Sequence, residues 1–261
     1  MKRRQFIKLS SAAAAAWPFA VRAQQSSNKI PVVGVLWHAG SAEEEDAYFR
    51  TLVKAFNDLG YVEGKNIHLD HRFPAENPER FRILARELVD AKPDAIIAVT
   101  NLDMVEVKRA TSTIPIVFVL AQDTVGQGVV ESLARPGGNA TGLSVMSIDL
   151  SGKRLELLKE VVPNLSRVAV LVDPTVTFKE RMIKSHQAAA EALGITLWPV
   201  DLAGSEDIEP VFAKIAQDRA DGVVRGLGSA LWPMRARIGA SAIAHKLPVM
   251  TYIPMRCHPA I

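Results

Sequence analysis

Residues 94–100, DAIIAVT, form an apolar run between an aspartate and a threonine. Such a run is typical of a strand in a parallel sheet that is covered on both faces. A similar segment, ADGVVRGL, occupies residues 220–227. Each is followed, after a stretch long enough for a helix, by another apolar segment: TIPIVFV at 113–119 and KLPVMTY at 246–252. The repeat predicts two lobes with the same order of elements.

Amphipathic segments separate the predicted strands. Apolar residues recur at helical spacing across residues 49–59, 81–89 and 208–215. Ser41 and Glu44 form a capping box ahead of the first of these segments. Strands that alternate with helices predict an α/β fold, with two Rossmann-like lobes that each contain a parallel sheet.

Residues 132–144, SLARPGGNATGLS, connect the two predicted lobes. The proline and the paired glycines indicate a turn, because proline cannot continue a helix and glycine adopts positive φ without steric cost. We interpret the preceding apolar run, from residue 122, as a helix, and residues 141–145 as a strand that leads toward the second lobe. The lobes are assigned to residues 30–148 and 149–261.

The first 23 residues differ from the rest of the chain in composition. They hold five of the 31 lysines and arginines and none of the 28 aspartates and glutamates. A basic start, an apolar run over residues 9–21 and small residues before Gln24 predict an export signal that is cleaved near Ala23. The sequence RRQFIK at 3–8 fits a twin-arginine signal, and a general secretory leader is the alternative. Both alternatives predict a periplasmic protein.

The charge of the remaining chain argues against nucleic-acid binding. Without residues 1–23, 26 basic residues stand against 28 acidic ones, a net charge of −2. The positive net charge of the whole chain therefore comes from the leader. The rest of the chain lacks the excess of basic residues that is typical of a nucleic-acid-binding surface. The single cysteine, Cys257, excludes an intramolecular disulfide and a lipid-anchoring cysteine near the cleavage site.

Catalytic and cofactor motifs are absent from the sequence. It contains no nucleophile elbow, no P-loop and no dinucleotide fingerprint after the first strand. His68 and His71 lie three positions apart on a predicted strand and therefore on opposite faces, which makes them a poor metal pair. The prediction is a protein without catalytic residues, metal or cofactor.

Several long blocks resemble one known family. Residues 114–144, IPIVFVLAQDTVGQGVVESLARPGGNATGLS, resemble the signature of the ABC transporter substrate-binding protein family of tryptophan/tyrosine type. The similarity continues in FNDLGYVEGKNIHLDHRF at 56–73, LARELVDAKPDAIIAVT at 84–100 and LSGKRLELLKEVVPNLSRVAVLVDP at 150–174. The resemblance implies a type I periplasmic binding-protein fold, in which three strands cross between two lobes that close on a ligand. It also implies a membrane permease and an ATPase as partners.

Polar residues at the predicted strand ends are the candidate ligand-binding residues. In two such lobes the carboxyl ends of the strands face a common cleft, where small ligands bind. The candidates are Ser41, Thr100, Asn101, Asp123, Asp173, Thr175, Ser229 and Tyr252. Ser41 caps its helix in any case, and its hydroxyl could also hold a carboxylate. Asp123 is either the partner of a ligand ammonium group or a loop residue, and Trp37 either stacks on an aromatic ligand or belongs to the core.

The resemblance, together with these residues, implies a solute receptor for import that has no catalytic activity, and we expect it to be a monomer. Its expected ligand is amino-acid-like, with aromatic and other hydrophobic amino acids as the first candidates. Two alternatives remain open: a sensor subunit that feeds a membrane receptor, and a periplasmic enzyme on the same scaffold, since fold does not fix function.

The second lobe is expected to be incomplete. After KLPVMTY only nine residues, IPMRCHPAI, remain. The corresponding part of the first half continues through the predicted helix, the turn and a further strand, from residue 122 to residue 145. The resemblance agrees, since members of the family continue beyond this point. We therefore predict a chain that is truncated at its carboxyl end.

Overall fold

The computed structural model describes residues 29–252. The export signal predicted for residues 1–23 lies outside this range, and so do the last nine residues with Cys257. Within the described range the chain folds into two parallel sheets with helices between the strands, which confirms the predicted α/β class.

The first lobe contains a five-stranded sheet in the order β2-β1-β3-β4-β5. The strands are β1 (Val32–Leu36), β2 (His68–Arg72), β3 (Ala95–Ala98), β4 (Ile116–Gln122) and β5 (Ala140–Val145). The helices of this lobe are α1 (Ala42–Glu45), α2 (Ala47–Asp58), α3 (Pro78–Asp90) and α4 (Asn101–Ala110). All neighbouring strands pair in parallel, so their carboxyl ends share one edge of the sheet.

The second lobe contains a four-stranded parallel sheet in the order β7-β6-β8-β9. Its strands are β6 (Arg167–Val172), β7 (Thr196–Asp201), β8 (Gly222–Arg225) and β9 (Val249–Met250). Its helices are α5 (Ser151–Val161), α6 (Lys179–Ala192), α7 (Ile208–Gln217) and α8 (Arg235–Ala244). The order repeats that of β2-β1-β3-β4, as the sequence repeat predicts. β7 carries Pro199 and lies at the sheet edge, as expected for a strand that contains proline. The predicted truncation concerns the chain after Tyr252, outside the described residues.

Helices cover both faces of the first sheet. Successive residues of β1 point to opposite faces, so Leu36 packs with Phe81 and Leu88 of α3. Val35 points the other way and packs in a separate cluster near Phe49 of α2. Burial of each such side chain contributes about 1.5–3 kcal/mol relative to its exposure. β1 is a continuous apolar run because its side chains pack in clusters on both faces of the sheet.

Residues 123–139 contain no helix, so the sequence prediction of a helix there is wrong. The φ angles are 51° at Asp123 and 68° at Gly128, which a right-handed helix does not contain. Glycine costs about 1 kcal/mol relative to alanine in a helix interior, which also opposes helix formation here. Val129 and Val130 bury their side chains in the first core from a series of turns instead.

The predicted turn and the strand that follows it are confirmed. Gly137 and Gly138 have φ angles of 64° and 65°, as the predicted turn requires. β5 then pairs with β4 at the sheet edge, and the chain continues into α5 of the second lobe. Gly142 in β5 has a φ of 155°, and a Cβ atom there would lie 2.0 Å from the backbone oxygen of Phe118. Glycine is therefore required for β5 to approach β4 this closely.

Candidate ligand-binding site

A cavity of about 230 Å³ lies between the two lobes. Its walls come from the residues that end or follow β1, β3, β4 and β5 in one lobe and β6, β8 and β9 in the other. The polar lining residues are His38, Thr100, Asn101, Gln122, Ser147, Thr175, Thr177 and Ser229. The aromatic lining residues are Tyr48, Phe178, Trp232 and Tyr252. The carboxyl ends of both sheets thus meet at one site, where α/β proteins commonly bind ligands.

Five of the predicted site residues line this cavity: Thr100, Asn101, Thr175, Ser229 and Tyr252. The other three, Ser41, Asp123 and Asp173, are not among its lining residues. Ser41 caps α1, where its hydroxyl accepts a hydrogen bond from the Glu44 N–H at 3.3 Å. Asp123 forms an ion pair with Arg181 of α6, in the opposite lobe.

Asp173 supports the cavity wall from behind. Its carboxylate is fully buried and accepts hydrogen bonds from the N–H and the hydroxyl of Thr175, at 2.9 and 2.6 Å. Burial raises the pKa of Asp173, and the bonds from Thr175 oppose that change. The carboxylate thereby fixes the loop that carries Thr175 into the lining.

Asp103 has the same supporting role in the first lobe. Its buried carboxylate accepts hydrogen bonds from the N–H of Val99 at 2.6 Å and from the hydroxyl of Thr100 at 2.7 Å. Thr100 is the N-cap of α4, and Asp103 completes its capping box. Burial raises the pKa of Asp103 to about 6.

Trp37 belongs to the core. It is 1% exposed, its ring stacks on Phe73, and its indole N–H donates to Nδ1 of His71 at 3.0 Å. His68, by contrast, is exposed beside Glu63, so the two histidines of β2 point away from each other as the strand period predicts.

His38 lies in a buried charged cluster that the sequence pattern does not reveal. Its Nδ1 is 2.7 Å from a carboxylate oxygen of Glu76, and its Nε2 is 3.2 Å from one of Glu45. Burial disfavours the charged imidazole, but the hydrogen bond with Glu76 and the negative charges of Glu45 and Glu76 outweigh it and raise the pKa of His38. With an acceptor at each nitrogen, the ring is arranged as an imidazolium.

Several contacts join the lobes around the cavity. The Ser229 hydroxyl donates to the second carboxylate oxygen of Glu76 at 2.8 Å. The rings of Tyr48 and Trp232 meet edge to face, with 6.3 Å between their centroids. Thr177 also donates to the side chain of Gln127 in the other lobe. The hydrogen bond between Ser229 and Glu76 connects the charged cluster around His38 directly to the second lobe.

Residues 29–250 match the model of a family described as ABC transporter substrate binding protein. The chain belongs to this family. A conserved domain protein from Vibrio cholerae O1 biovar El Tor is 27% identical and superposes with a TM-score of 0.77, over 87% of this chain and 75% of that one. The ABC domain from Streptococcus pneumoniae in complex with L-Trp has the same fold, with 18% identity and a TM-score of 0.77 over 87% and 75% of the chains.

A tyrosine-binding protein of Clostridioides difficile (strain R20291) is 35% identical to this substrate-binding protein over 120 residues. That match covers 46% of this chain and 34% of the relative. The matched part of the chain thus spans about a third of the length of this curated relative.

Two findings concern residues 29–252 of the substrate-binding protein. No helix in this range is long and apolar enough to cross a membrane. The same range holds no group of three or more His, Cys, Asp or Glu side chains that could bind a metal ion.

The His38 cluster predicts how the stability of this substrate-binding protein depends on pH. A histidine whose pKa is higher in the folded protein than its ordinary 6.5 stabilises the fold below pH 6.5, and the contribution is lost as the pH rises through the folded value. We expect the melting temperature to fall as the pH rises above 6.5, and we expect His38→Gln to lose that part of the slope. The pKa of Asp103 is also raised, so its contribution to stability is lost as the pH rises. This loss occurs at lower pH, between the ordinary pKa of 3.8 and the folded value of about 6.

Thermal melts of the wild type and of His38→Gln across this pH range measure the effect. His68→Gln, which changes an exposed histidine, is the matched control and should keep the wild-type slope. A His38→Gln variant with the same pH slope as the wild type would show that His38 is not charged in the fold.

Proposed function

We propose that this protein is the solute-binding component of an ABC importer. It binds an amino-acid-like ligand, with aromatic amino acids as the first candidates, and releases it chemically unchanged. It is exported to the periplasm by its amino-terminal signal and acts there as a monomer, without a cofactor and without binding nucleic acid. Its partners are a membrane permease and an ATPase.

The observation that carries the proposal is the composition of the cavity wall. Aromatic side chains from both lobes face a space of about 230 Å³ together with hydroxyl and amide groups. Tyr48 comes from one lobe and Trp232 from the other, so a flat apolar ligand can contact both when the lobes close. The hydroxyl and amide groups can hold the polar end of the same ligand.

The relatives support this ligand class. The C. difficile relative is named a tyrosine-binding protein, and the S. pneumoniae domain was solved with L-Trp. Among the described residues, Ser229 does not form a serine–histidine pair, because its hydroxyl donates to Glu76.

Titration calorimetry against free amino acids and aromatic acids tests the proposal. We expect at least one aromatic amino acid to bind and to be recovered unchanged, as mass spectrometry would show. Conversion of any compound would instead identify an enzyme, and a panel without any binder would contradict the proposed ligand class.

Trp232 provides a sharper test of where the ligand binds. Trp232→Ala should weaken binding by about tenfold or more, because an aromatic contact is worth about 0.5–1.5 kcal/mol beyond its buried area. Trp198→Ala is the matched control, since both indoles lie in the second lobe under an arginine, Arg235 for Trp232 and Arg167 for Trp198. Trp198 does not line the cavity. Equal affinities of the two variants would contradict this binding site.

A further inference from the structure

Two amide side chains in the cavity wall carry buried polar atoms without a partner. Asn101 is the first residue of α4, and Gln122 is the last residue of β4. The Asn101 side-chain oxygen accepts a hydrogen bond from the Gln122 backbone N–H, which holds the two residues together. Within residues 29–252, Nδ2 of Asn101 and Oε1 of Gln122 have no hydrogen-bond partner, although Gln122 is only 9% exposed. Buried polar groups are normally paired, so this donor and this acceptor point to a ligand.

The amino-terminal end of α4 lies beside this pair of amides and also favours a negatively charged ligand group. α4 is ten residues long, and Asn101, which lines the cavity, is its first residue. The positive end of the helix dipole favours a carboxylate at such a position, where Asp103 already accepts hydrogen bonds from the N–H groups of Thr100 and Met104. The same dipole disfavours a positive charge there.

Among residues 29–252, no carboxylate lines the cavity wall where it could pair with a ligand ammonium group. The lining residues include neither aspartate nor glutamate. The carboxylates that lie behind the wall already accept hydrogen bonds from protein groups: Glu45, Glu76, Asp103 and Asp173. Asp123, the residue expected to hold an ammonium group, is paired with Arg181. The acceptor offered to the ligand is therefore the neutral amide oxygen of Gln122.

We infer that Asn101 and Gln122 form the subsite for the polar end of the ligand. Nδ2 of Asn101 donates to the ligand carboxylate, and Oε1 of Gln122 accepts from the donor on the adjacent carbon. A buried ammonium group gains no opposite charge from an amide, whereas a hydroxyl group satisfies the same acceptor at a smaller desolvation cost. The ligand class therefore includes 2-hydroxy acids with an aromatic side chain as well as 2-amino acids. This inference rests on the proposed function.

Three probes that share a phenyl ring and a carboxylate test this subsite: L-phenylalanine, L-phenyllactate and phenylpropanoate. They differ only in the group next to the carboxylate, which is ammonium, hydroxyl or hydrogen. We expect the first two to bind within about tenfold of each other, and phenylpropanoate to bind about tenfold more weakly than phenyllactate, because it leaves Gln122 unpaired. A preference of more than about a hundredfold for phenylalanine over phenyllactate would mean that a carboxylate holds the ammonium, which overturns the inference.

Two substitutions at Gln122 complete the experiment. Gln122→Met keeps the length of the side chain but removes the acceptor, so phenyllactate and phenylpropanoate should bind equally. Gln122→Glu adds a negative charge and should favour phenylalanine over phenyllactate by about tenfold or more. Gln217→Met, at an exposed position of α7, is the control. Thermal melts confirm that each variant is folded.

The possible outcomes separate the subsite from the proposed function. If phenylalanine binds and Gln122→Met keeps the wild-type order of the three probes, the subsite is wrong and the receptor function stands. If none of the three probes binds to the folded wild type, the subsite is contradicted, and the receptor function is decided separately by the wider panel of amino acids and aromatic acids.

Discussion

Replacement of Glu45 by alanine is expected to lower the free energy of unfolding by about 2–5 kcal/mol, because each buried N–H group that loses its acceptor costs about 1–3 kcal/mol. The Glu45 carboxylate is fully buried and lies 3.2 Å from Nε2 of His38. It also accepts hydrogen bonds from the backbone N–H groups of His38 and Ala39, at 2.9 and 2.8 Å. The substitution leaves one side of the imidazolium and two buried N–H groups without partners.

Urea unfolding followed by circular dichroism measures this loss. Glu87→Ala is the control, because Glu87 is exposed on α3 and its truncation should change stability by less than about 0.5 kcal/mol. A Glu45→Ala variant within about 1 kcal/mol of the wild type would mean that Glu45 does not hold the N–H groups of His38 and Ala39 as described.

In the second lobe, Phe212→Ala should lower the free energy of unfolding by about 3–5 kcal/mol. Phe212 in α7 is fully buried in the cluster that packs between the sheet and α8, together with Leu171 and Ile238. The loss has two parts, the transfer free energy of the ring and the cavity that it leaves.

Thermal and urea unfolding of Phe212→Ala and of a matched apolar truncation test this prediction. Ile243→Ala is the control, since Ile243 on α8 is 70% exposed and its removal should change stability by less than about 0.5 kcal/mol. Similar losses for the two variants would show that α7 is not packed as described.

Most of the fold follows from local patterns in the sequence. The runs at 94–100 and 220–227 occupy equivalent strands, β3 and β8, because a strand covered on both faces must be apolar throughout. The predicted helix after residue 122 is the main error. Its apolar residues, Val129 and Val130, are buried, but turns can bury side chains as well as a helix can.

The site is predicted less completely than the fold. Strand-end position selects Thr100 and Thr175, which line the cavity, because the topology brings all parallel strand ends to one edge. Position alone does not predict which polar group a residue will meet. Glu76 contacts His38 and Ser229, from which it is separated by 38 and 153 positions, and no local pattern encodes such contacts.

The ion pair between Asp123 and Arg181 should make the contact between the two lobes depend on the salt concentration. The Arg181 side chain is 50% exposed, so dissolved ions reach it. At about 0.15 M ionic strength the Debye length is about 8 Å, and ions that reach Arg181 weaken the pair from that side, although Asp123 is only 6% exposed. The bond between Ser229 and Glu76 has a neutral donor and is far less sensitive to dissolved ions. Affinities measured in dilute buffer should therefore exceed those at physiological salt, because only one of these two connections between the lobes persists there at full strength.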